Sequence, residues 1–364
     1  MKRILVISVA HSYPVFIDSN SFLLLPKLVP EYGLPKRIFV ILDRNVELYF
    51  GNKIKRIIKP VADKIHFSVV TASEKNKSLE AAAKIFSTLQ REKFGRDTLL
   101  IAIGGGTIGD LAGFVASTYM RGIPLIHIPT TLLSMVDSSI GGKTGVNFKE
   151  AKNLIGTFYQ PYFVLVDTGF LRTLPQKEII SGFGEVIKYS YLTNVEFYDK
   201  LFSDFHSLKK LNSNFINEII FHCVKIKSAI LSADEIEKSG LRKILNFGHT
   251  FAHAYEGISN YKISHGKAVI IGLLNALHLS HELALINQDK FDMMVELPLK
   301  LKTDLAVNEF DEGNIFSLMR YDKKNKNGQN MLILIKDFGE ILVDVSVDRK
   351  SILKAISETK KILV

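Results

Sequence analysis

The stretch IAIGGGTIGDLAGFVASTYMRGIPLIHIPTTLLSMVDSSIGGKTGVN (101–147) decides the fold, because its apolar runs end repeatedly in glycine-rich turns. The apolar run 99–103 leads into three consecutive glycines, 104–106, and small helix-compatible residues follow. Backbone N–H groups at such a helix start can face a phosphate. A second apolar run, 123–128, breaks at Pro129, and ionisable side chains lie near these turns. The pattern predicts a cleft at the carboxyl ends of parallel strands.

Apolar runs alternate with segments of helical period from the start of the chain to about residue 172. The clearest helical pattern is 78–93, with Ser78 at the N-cap and Glu80 in the first turn. Such alternation predicts a parallel sheet wrapped by helices. The predicted strands are 4–9, 37–42, 65–70, 98–103, 125–128 and 163–166.

The pattern after residue 172 is mostly helical, and a polar stretch, 322–330, is predicted to form an exposed loop. Two short runs, 330–336 and 339–345, flank a turn as in a β-hairpin. The sequence therefore predicts an α/β N-terminal domain, 1–172, and an all-α C-terminal domain, 173–364. The predicted helical segments are 178–192, 195–208, 214–234, 241–257, 266–282 and 288–297.

Length, charge and cysteine content narrow the class of protein. The 364 residues suffice for two domains, and the net charge of +10 fits either anionic ligands or general solubility. Dispersed lysines without interleaved aromatic residues argue against nucleic acid binding. A lone Cys223 excludes a disulfide framework, and no apolar run approaches the length of a membrane span. The start of the chain resembles a first strand that turns at Tyr13 and Pro14, so we expect a cytoplasmic protein.

Histidines in the second half could bind a metal ion. His249 and His253 lie four residues apart, and His265 lies at a predicted helix start. With Glu185 upstream, two imidazoles and a carboxylate would match the ligand set of a catalytic Zn²⁺. Spacing alone favours His249 and His253 as the ligand pair, and ordinary core or surface histidines are an equal alternative.

The glycine turn and its neighbours are ambiguous when each is taken alone. The run GGGTIGD differs in spacing from the dinucleotide fingerprint G-x-G-x-x-G. Its combination with Asp110, Thr130 and Thr131 favours a phosphate site, while a tight turn and a capped helix start are the local alternatives.

Several cationic residues could face an anionic ligand, although most lysines are simply solvated. Lys143 lies between a glycine and a threonine, and Lys188 lies one helical turn after Glu185. Arg242 precedes Asn246 by four residues and His249 by seven, so one helical face would bring all three together. The cationic set is Arg121, Lys143, Lys152, Lys188, Lys227 and Arg242.

A series of motifs from about residue 70 to 270 occurs in the order and spacing of one enzyme family. They are GGGTIGDLAGFVAST (104–118), the block 121–147, KNLIGTFYQP (152–161), LRTLP (171–175), SGFGEVIKY (181–189), the segment 233–254 and HGKAV (265–269). On these residues the chain resembles 3-dehydroquinate synthase, the NAD- and metal-dependent cyclase family of the shikimate pathway in aromatic amino acid biosynthesis. The resemblance implies a nucleotide-binding N-terminal domain, a metal- and substrate-binding helical domain and a homodimer.

The resemblance also assigns site residues. It places the metal on Glu185, His249 and His265 and leaves His253 as an acid/base or hydrogen-bonding residue, which replaces the pairing favoured by spacing. Catalytic roles fall to Asp137, Lys143, Lys188 and His253. Substrate contacts fall to Arg121, Lys152, Asn153, Lys227, Arg242 and Asn246, with the pair Lys323 and Lys324 as a further candidate. NAD contacts fall to Glu74, Lys77, Gly106, Thr107, Ile108, Gly109, Asp110, Thr130, Thr131, Lys143, Lys152, Phe170, Leu171, Arg172 and Thr173.

The implied reaction is that of a carbon–oxygen lyase. It converts 3-deoxy-D-arabino-heptulosonate 7-phosphate into 3-dehydroquinate and phosphate by oxidation, elimination, re-reduction and aldol closure. The implied cofactors are NAD and one divalent metal, Zn²⁺ or Co²⁺. Ala151, Ala252 and Lys267 depart from the usual family pattern, and none of them removes a proposed ligand.

Three other functions fit parts of the pattern. A sister sugar-phosphate cyclase would share NAD, metal and fold, but Arg242 and Asn246 favour a carboxylated substrate. A metal-dependent polyol dehydrogenase would not need so many cations. A binding protein built on an inactive cyclase would not need the complete set of metal and cationic residues.

Overall fold

The chain is described here from a computed structural model, for residues 1–9, 11–149, 151–235, 237–301, 307–319 and 330–363. The contacts divide the chain into a first unit, Met1–Ile179 with Leu211–Ile236, and a second unit, Ile180–Lys210 with Glu237–Val364. The predicted boundary at residue 172 lies near Ile179, where the chain first passes from the first unit to the second. Residues 211–236, however, belong to the first unit. Most of the predicted loop, 322–329, and with it Lys323 and Lys324, lies outside the described residues.

Strands and helices alternate through the first half and helices dominate the second half. The strands are β1 Lys2–Val6, β2 Tyr13–Asp18, β3 Arg37–Asp43, β4 Lys64–Val70, β5 Thr98–Gly104, β6 Leu125–Pro129, β7 Lys143–Phe148, β8 Ala151–Phe158, β9 Phe163–Asp167, β10 Asn330–Asp337 and β11 Glu340–Val347. The α-helices are α1 Leu25–Glu31, α2 Arg44–Ile58, α3 Leu79–Arg91, α4 Gly106–Thr118, α5 Gln176–Tyr191, α6 Val195–Ser203, α7 Phe205–Lys209, α8 Ser213–Ala233, α9 His249–Ile258, α10 His265–Glu282, α11 Gln288–Lys300, α12 Glu312–Met319 and α13 Arg349–Leu363.

The first unit is built on a seven-stranded sheet in the order β1-β2-β9-β6-β5-β3-β4. Every neighbouring pair is parallel except β1 with β2. The central strands β5 and β6 are buried along their whole length, as expected where both faces of a sheet are covered. The predicted parallel sheet is confirmed. The predicted turn at Tyr13 and Pro14 is wrong, because that apolar stretch is buried as strand β2.

Helices of the first unit bury one apolar face against this sheet. Ile85 and Leu89 of α3 share a core with Phe39 of β3 and Leu111 of α4. The predicted N-cap of α3 is confirmed, since the Ser78 hydroxyl accepts a hydrogen bond from the Ala81 amide at 3.3 Å. Helix α8, which was predicted to lie in the C-terminal domain, packs against β1. It supplies apolar side chains to the first unit, which explains why the unit includes it.

The hairpin β7–β8 was not predicted. Positive φ values of 97° at Gly141 and 66° at Gly142 turn the chain into it. The sequence shows glycines here, but the following residues KTGVN lack the regular alternation by which a strand is recognised.

The second unit consists mainly of helices, and the predicted hairpin is confirmed as the antiparallel pair β10–β11. One predicted helix, 241–257, is wrong in part. Residues Leu241–Asn246 form a 3₁₀ helix, and Gly248, with a left-handed φ of 78°, separates it from α9. Arg242 and His249 therefore do not share one continuous helical face. Among the described residues, no helix combines the length and apolar character needed to cross a membrane.

Candidate active site

The glycine turn of the first unit connects the carboxyl end of β5 directly to the start of α4. A side chain could not be added there without displacement. A Cβ on Gly105 would lie 3.0 Å from Thr131 Cγ2, and one on Gly106 would lie 2.9 Å from Ser138 Oγ. The turn borders a small cleft that is also lined by His127 and Ser138. Exposed backbone amides at a helix start beside a cleft fit a phosphate-bearing cofactor.

Lys77 and Asp110 form an ion pair beside this turn, in which Lys77 is buried and Asp110 is partly buried. Burial raises the pKa of the Asp110 carboxyl, and the Lys77 ammonium opposes the shift without cancelling it. Glu74 lies on the exposed side of the same segment, where its carboxylate accepts a hydrogen bond from Asn147 Nδ2 at 2.9 Å. The structure thus brings three of the residues implied for NAD into one region.

Asp137 and Lys227, both implied for the substrate, are in direct contact within the first unit. Lys227 Nζ donates to the Asp137 backbone carbonyl at 2.7 Å and to its Oδ1 at 2.8 Å. Lys227 is carried by α8, which packs on the turn that holds Asp137. Its ammonium is therefore already fixed by the chain.

The hairpin β7–β8 carries three more of the implied residues. Lys143 lies at the start of β7, and Lys152 and Asn153 lie near the start of β8. Asn153 adopts a left-handed φ of 51°, and Arg121 lies on an exposed turn with a φ of 64°. Asn147, which the sequence analysis missed, donates to Glu74 and accepts from the Asn153 amide at 3.0 Å.

Some residues implied for NAD point into the core. The side chains of Ile108, Phe170 and Leu171 are buried among apolar neighbours, while Arg172 and Thr173 are exposed. Thr130 is also buried, and the Thr131 hydroxyl bonds to Ser134 Oγ at 2.9 Å. A ligand at Ile108, Phe170 or Leu171 would therefore contact the backbone atoms of these residues and not their side chains.

Glu185, His249 and His265 form one cluster in the second unit. Glu185 Oε1 lies 3.3 Å from His249 Nε2 and 3.2 Å from His265 Nε2. The three candidate ligand atoms all lie within 4.8 Å of one another. Spacing had favoured His253 over His265, but His253 is exposed and its ring centre lies 5.7 Å from that of His249.

Close backbone contacts between helices hold this cluster together. A Cβ on Gly266 would lie 1.7 Å from the Ser181 carbonyl oxygen, so α5 and α10 touch beside Glu185 and His265. A Cβ on Gly272 would lie 2.1 Å from the Gly248 carbonyl oxygen, so α10 also touches the start of α9 beside His249. The signal was present in the sequence, since each of the three clustered residues has a glycine as its direct neighbour.

The electrostatics of the cluster favour a cation. Burial alone would raise the pKa of Glu185, but Lys188 and His249 outweigh it and hold that pKa well below its usual value. Burial lowers the pKa of His249. Burial also acts to lower the pKa of His265, but hydrogen bonds to Glu185 and Glu256 raise it to about 10. A fully buried carboxylate is thus kept ionised by the positive groups around it.

The oxygen atoms next to the Nδ1 atoms of the two imidazoles are those expected around a divalent metal site. His249 Nδ1 lies 3.2 Å from the Phe247 carbonyl oxygen, and His265 Nδ1 lies 3.6 Å from Glu256 Oε2. Each Nδ1 can therefore donate its hydrogen outward, so that each Nε2 can offer its lone pair to a metal once its own proton is released. Two imidazoles and a carboxylate leave a coordination position open, as in catalytic zinc sites.

Of the other implied residues of the second unit, Lys188 contacts this cluster directly, while Arg242 and Asn246 lie on the 3₁₀ helix that precedes α9. Lys188 is buried and forms an ion pair with Glu185. Arg242 is buried on the 3₁₀ helix, with its Nε 3.5 Å from Glu237 Oε1. Asn246, at the end of that helix, is partly buried.

Comparison with known proteins extends these observations to nearly the whole chain. Residues 67–181 match the family described as 3-dehydroquinate synthase N-terminal, and residues 182–325 match its C-terminal counterpart. The 3-dehydroquinate synthase of Alkaliphilus metalliredigens is 38% identical, covering 94% of both chains. That of Pelagibacter ubique is 39% identical, also covering 94% of both chains.

Solved structures share the fold. The 2-epi-5-epi-valiolone synthase from Streptomyces hygroscopicus, solved with NAD⁺ and Zn²⁺ bound, is 25% identical with a TM-score of 0.88, over 96% of this chain and 97% of that one. A 2-deoxy-scyllo-inosose synthase complexed with carbaglucose-6-phosphate, NAD⁺ and Co²⁺ is 24% identical with a TM-score of 0.87, over 98% of this chain and 99% of that one. With family matches that span 67–325 and relatives of this similarity, the chain belongs to the 3-dehydroquinate synthase family.

Proposed function

We propose that the chain is an NAD- and metal-dependent carbon–oxygen lyase that converts 3-deoxy-D-arabino-heptulosonate 7-phosphate into 3-dehydroquinate and phosphate. The observation that carries the proposal is the buried Glu185 with two imidazole Nε2 atoms at 3.2 and 3.3 Å, in a chain of this family. A metal ion bound at a site of this kind polarises carbon–oxygen bonds of a substrate.

Glu185, His249 and His265 would hold the metal, and the turn before α4 would hold NAD. When bound, the divalent metal supplies Lewis acidity at a substrate alcohol and ketone, and NAD accepts and then returns a hydride. Lys188, buried against Glu185, keeps that carboxylate ionised. His253, exposed one helical turn after His249, would exchange protons with a substrate hydroxyl.

Cations of the chain would orient the two anionic ends of the substrate. Lys152, Asn153 and Arg121 are proposed for the phosphate, and Arg242 for the carboxylate, because guanidinium and carboxylate groups match in a bidentate fashion. Lys227 and Lys143 are further cations proposed for the substrate, and Asp137 fixes the Lys227 ammonium.

The decisive experiment is phosphate release from this substrate, with and without NAD and with and without chelator, while NADH absorbance is followed. We expect release that requires both cofactors, with no net NADH, because the hydride returns within each turnover. Stoichiometric NADH would establish a polyol dehydrogenase instead. Release only from heptulose phosphates that lack a carboxylate would establish a sister cyclase.

Replacement of Arg242 tests the carboxylate assignment. R242A should raise the substrate KM by roughly a hundredfold and change kcat much less, because a charged bidentate contact made in the ground state is lost. R96A, at an exposed arginine of the first unit, is the matched control. An unchanged KM in R242A would refute the assignment.

We also propose that the enzyme is a cytoplasmic homodimer, from the single cysteine and the resemblance stated above. Sedimentation of the purified chain should give twice the chain mass. A mass equal to that of one chain would contradict the proposed dimer.

A further inference from the structure

Asn147 links two proposed ligand sites of the first unit through a single carboxamide. Its Nδ2 donates to the Glu74 backbone carbonyl at 3.0 Å and to Glu74 Oε2 at 2.9 Å. Its Oδ1 accepts from the Asn153 amide at 3.0 Å. Its own backbone amide donates to the Lys77 carbonyl at 2.7 Å. The nitrogen and the oxygen of the carboxamide thus each bond to a different segment of the chain.

The position of Asn147 in the hairpin explains why this contact matters. Val146 pairs with Ile155 and Phe148 pairs with Ala151, so three residues of β8 lie opposite Asn147 alone. Such a bulge leaves backbone groups without a ladder partner and redirects the side chains on it. The bulged residues include Lys152 and Asn153, and the Asn147 carboxamide replaces the missing partner of the Asn153 amide.

The nitrogen of the carboxamide bonds to an acidic side chain, whereas its oxygen bonds to the backbone of the bulge. Glu74 is exposed and charged, and its orientation depends on what its carboxylate contacts. A hydrogen bond to a charged acceptor is stronger than one between neutral groups. Asn147 therefore fixes the direction of Glu74, while its backbone bond to Lys77 holds the rest of the turn.

We propose that Asn147 is a positioning residue that orients Glu74 toward the nucleotide and the Lys152–Asn153 bulge toward the substrate phosphate. The inference rests on the proposed function for what these two partners bind. The hydrogen bonds themselves do not depend on it.

Two substitutions separate the two sides of the carboxamide. N147A removes both bonds, whereas N147D keeps an acceptor for the Asn153 amide and repels Glu74. We expect N147A to raise the NAD dissociation constant and the substrate KM by about tenfold each. N147D should raise the NAD dissociation constant to a similar extent and leave the substrate KM within about twofold of the wild type. In both variants kcat should change far less than these constants.

N76A is the matched control, because Asn76 lies in the same turn and its side chain bonds only within it, to the Thr71 carbonyl at 2.8 Å. NAD binding is measured by calorimetry on the full chain, and KM by phosphate release. An equal rise in substrate KM in N147A and N147D, or losses of NAD affinity no larger than in N76A, would overturn the inference.

Hydrogen–deuterium exchange of the Asn153 amide, without any ligand, tests the contact independently of function. The amide should be protected in the wild type and N147D and exchange at least tenfold faster in N147A. Absence of phosphate release by the wild type would refute the proposed function alone. Equal exchange in all variants would refute the positioning role alone.

Discussion

Each unit of the chain pairs a buried lysine with a carboxylate beside its proposed ligand site, and the pKa values of the two carboxyl groups are shifted in opposite directions. Next to the glycine turn, Asp110 pairs with Lys77, and burial raises the Asp110 pKa. In the helical unit, Glu185 pairs with Lys188, and the Glu185 pKa lies well below its usual value although its burial is greater.

The difference shows that the number of positive partners, and not burial alone, decides the direction in which the pKa of each carboxyl is shifted. Asp110 faces mainly one ammonium, and the nearby Glu74 raises its pKa further. Glu185 faces Lys188, His249 and His265 together. Since a carboxylate binds a metal only when ionised, the surroundings of Glu185 prepare a cation site. Those of Asp110 suit hydrogen bonding to a ligand at the helix start.

The largest change should follow from separating the helices that bring these partners to Glu185. G266A places a Cβ 1.7 Å from the Ser181 carbonyl oxygen, so α5 and α10 must move apart. We expect metal affinity to fall by more than a hundredfold and the free energy of unfolding to drop by about 4 kcal/mol. Competition with a chromophoric chelator and urea unfolding measure the two effects.

The control for this substitution is G257A, on α9 of the same unit. A Cβ there would meet only Leu318 Cδ1 at 3.6 Å, an ordinary contact, so stability should be unchanged or slightly higher. If G266A bound metal as tightly as G257A, the close helix contact would not be what assembles the cluster.

A smaller change should follow from removing the ammonium of Lys77, the strongest of the positive groups that act on Asp110. In K77M the Asp110 pKa should rise further, and the unfolded pKa is about 3.9. A raised folded pKa gives stability that is present below the unfolded pKa and lost as pH rises through the folded one. The free energy of unfolding of K77M, relative to the wild type, should therefore fall as the pH rises above about 4, by about 2–3 kcal/mol.

Two variants test the origin of that pH dependence. K84M removes an exposed lysine of α3 and should behave as the wild type. K77M combined with D110N removes the buried carboxylate as well, so the additional loss at high pH should disappear. A pH dependence that persisted in the double variant would assign the effect to another group.

The sequence predicted the features that depend on local patterns. The apolar runs predicted the central strands β5 and β6, and Ser78 predicted the start of α3. Both predictions depend on only a few neighbouring residues, because buried strands and helix caps are local features. The family resemblance singled out Glu185, His249 and His265, which the structure groups. The roles of the individual site residues remain predictions.

The features that escaped prediction depend on contacts between distant segments. The helix predicted at 241–257 is interrupted at Gly248, which packs closely against Leu273 of α10. A Cβ on Gly248 would lie 2.9 Å from the Leu273 nitrogen. The hairpin β7–β8 is stabilised by Asn147 through its bonds to Glu74, 73 residues away. Periodicity within a short window contains no information about such partners.

The smallest expected change tests the carboxylate that contacts the Nδ1 atom of His265. Glu256 Oε2 lies 3.6 Å from His265 Nδ1 and fixes the ring that presents Nε2 to Glu185. E256Q should speed loss of Co²⁺ to excess chelator roughly tenfold and alter its visible absorption, because partners of this kind orient metal-binding histidines. The dissociation rate is the proper measure, since it depends on the bound state and not on protons that compete for the empty site. E282Q, which removes only the exposed pair with Lys354 at 2.5 Å, should release the metal as the wild type does. If E256Q released Co²⁺ at the rate of E282Q with an unchanged spectrum, the orientation of His265 would be set by the helix contact at Gly266 alone.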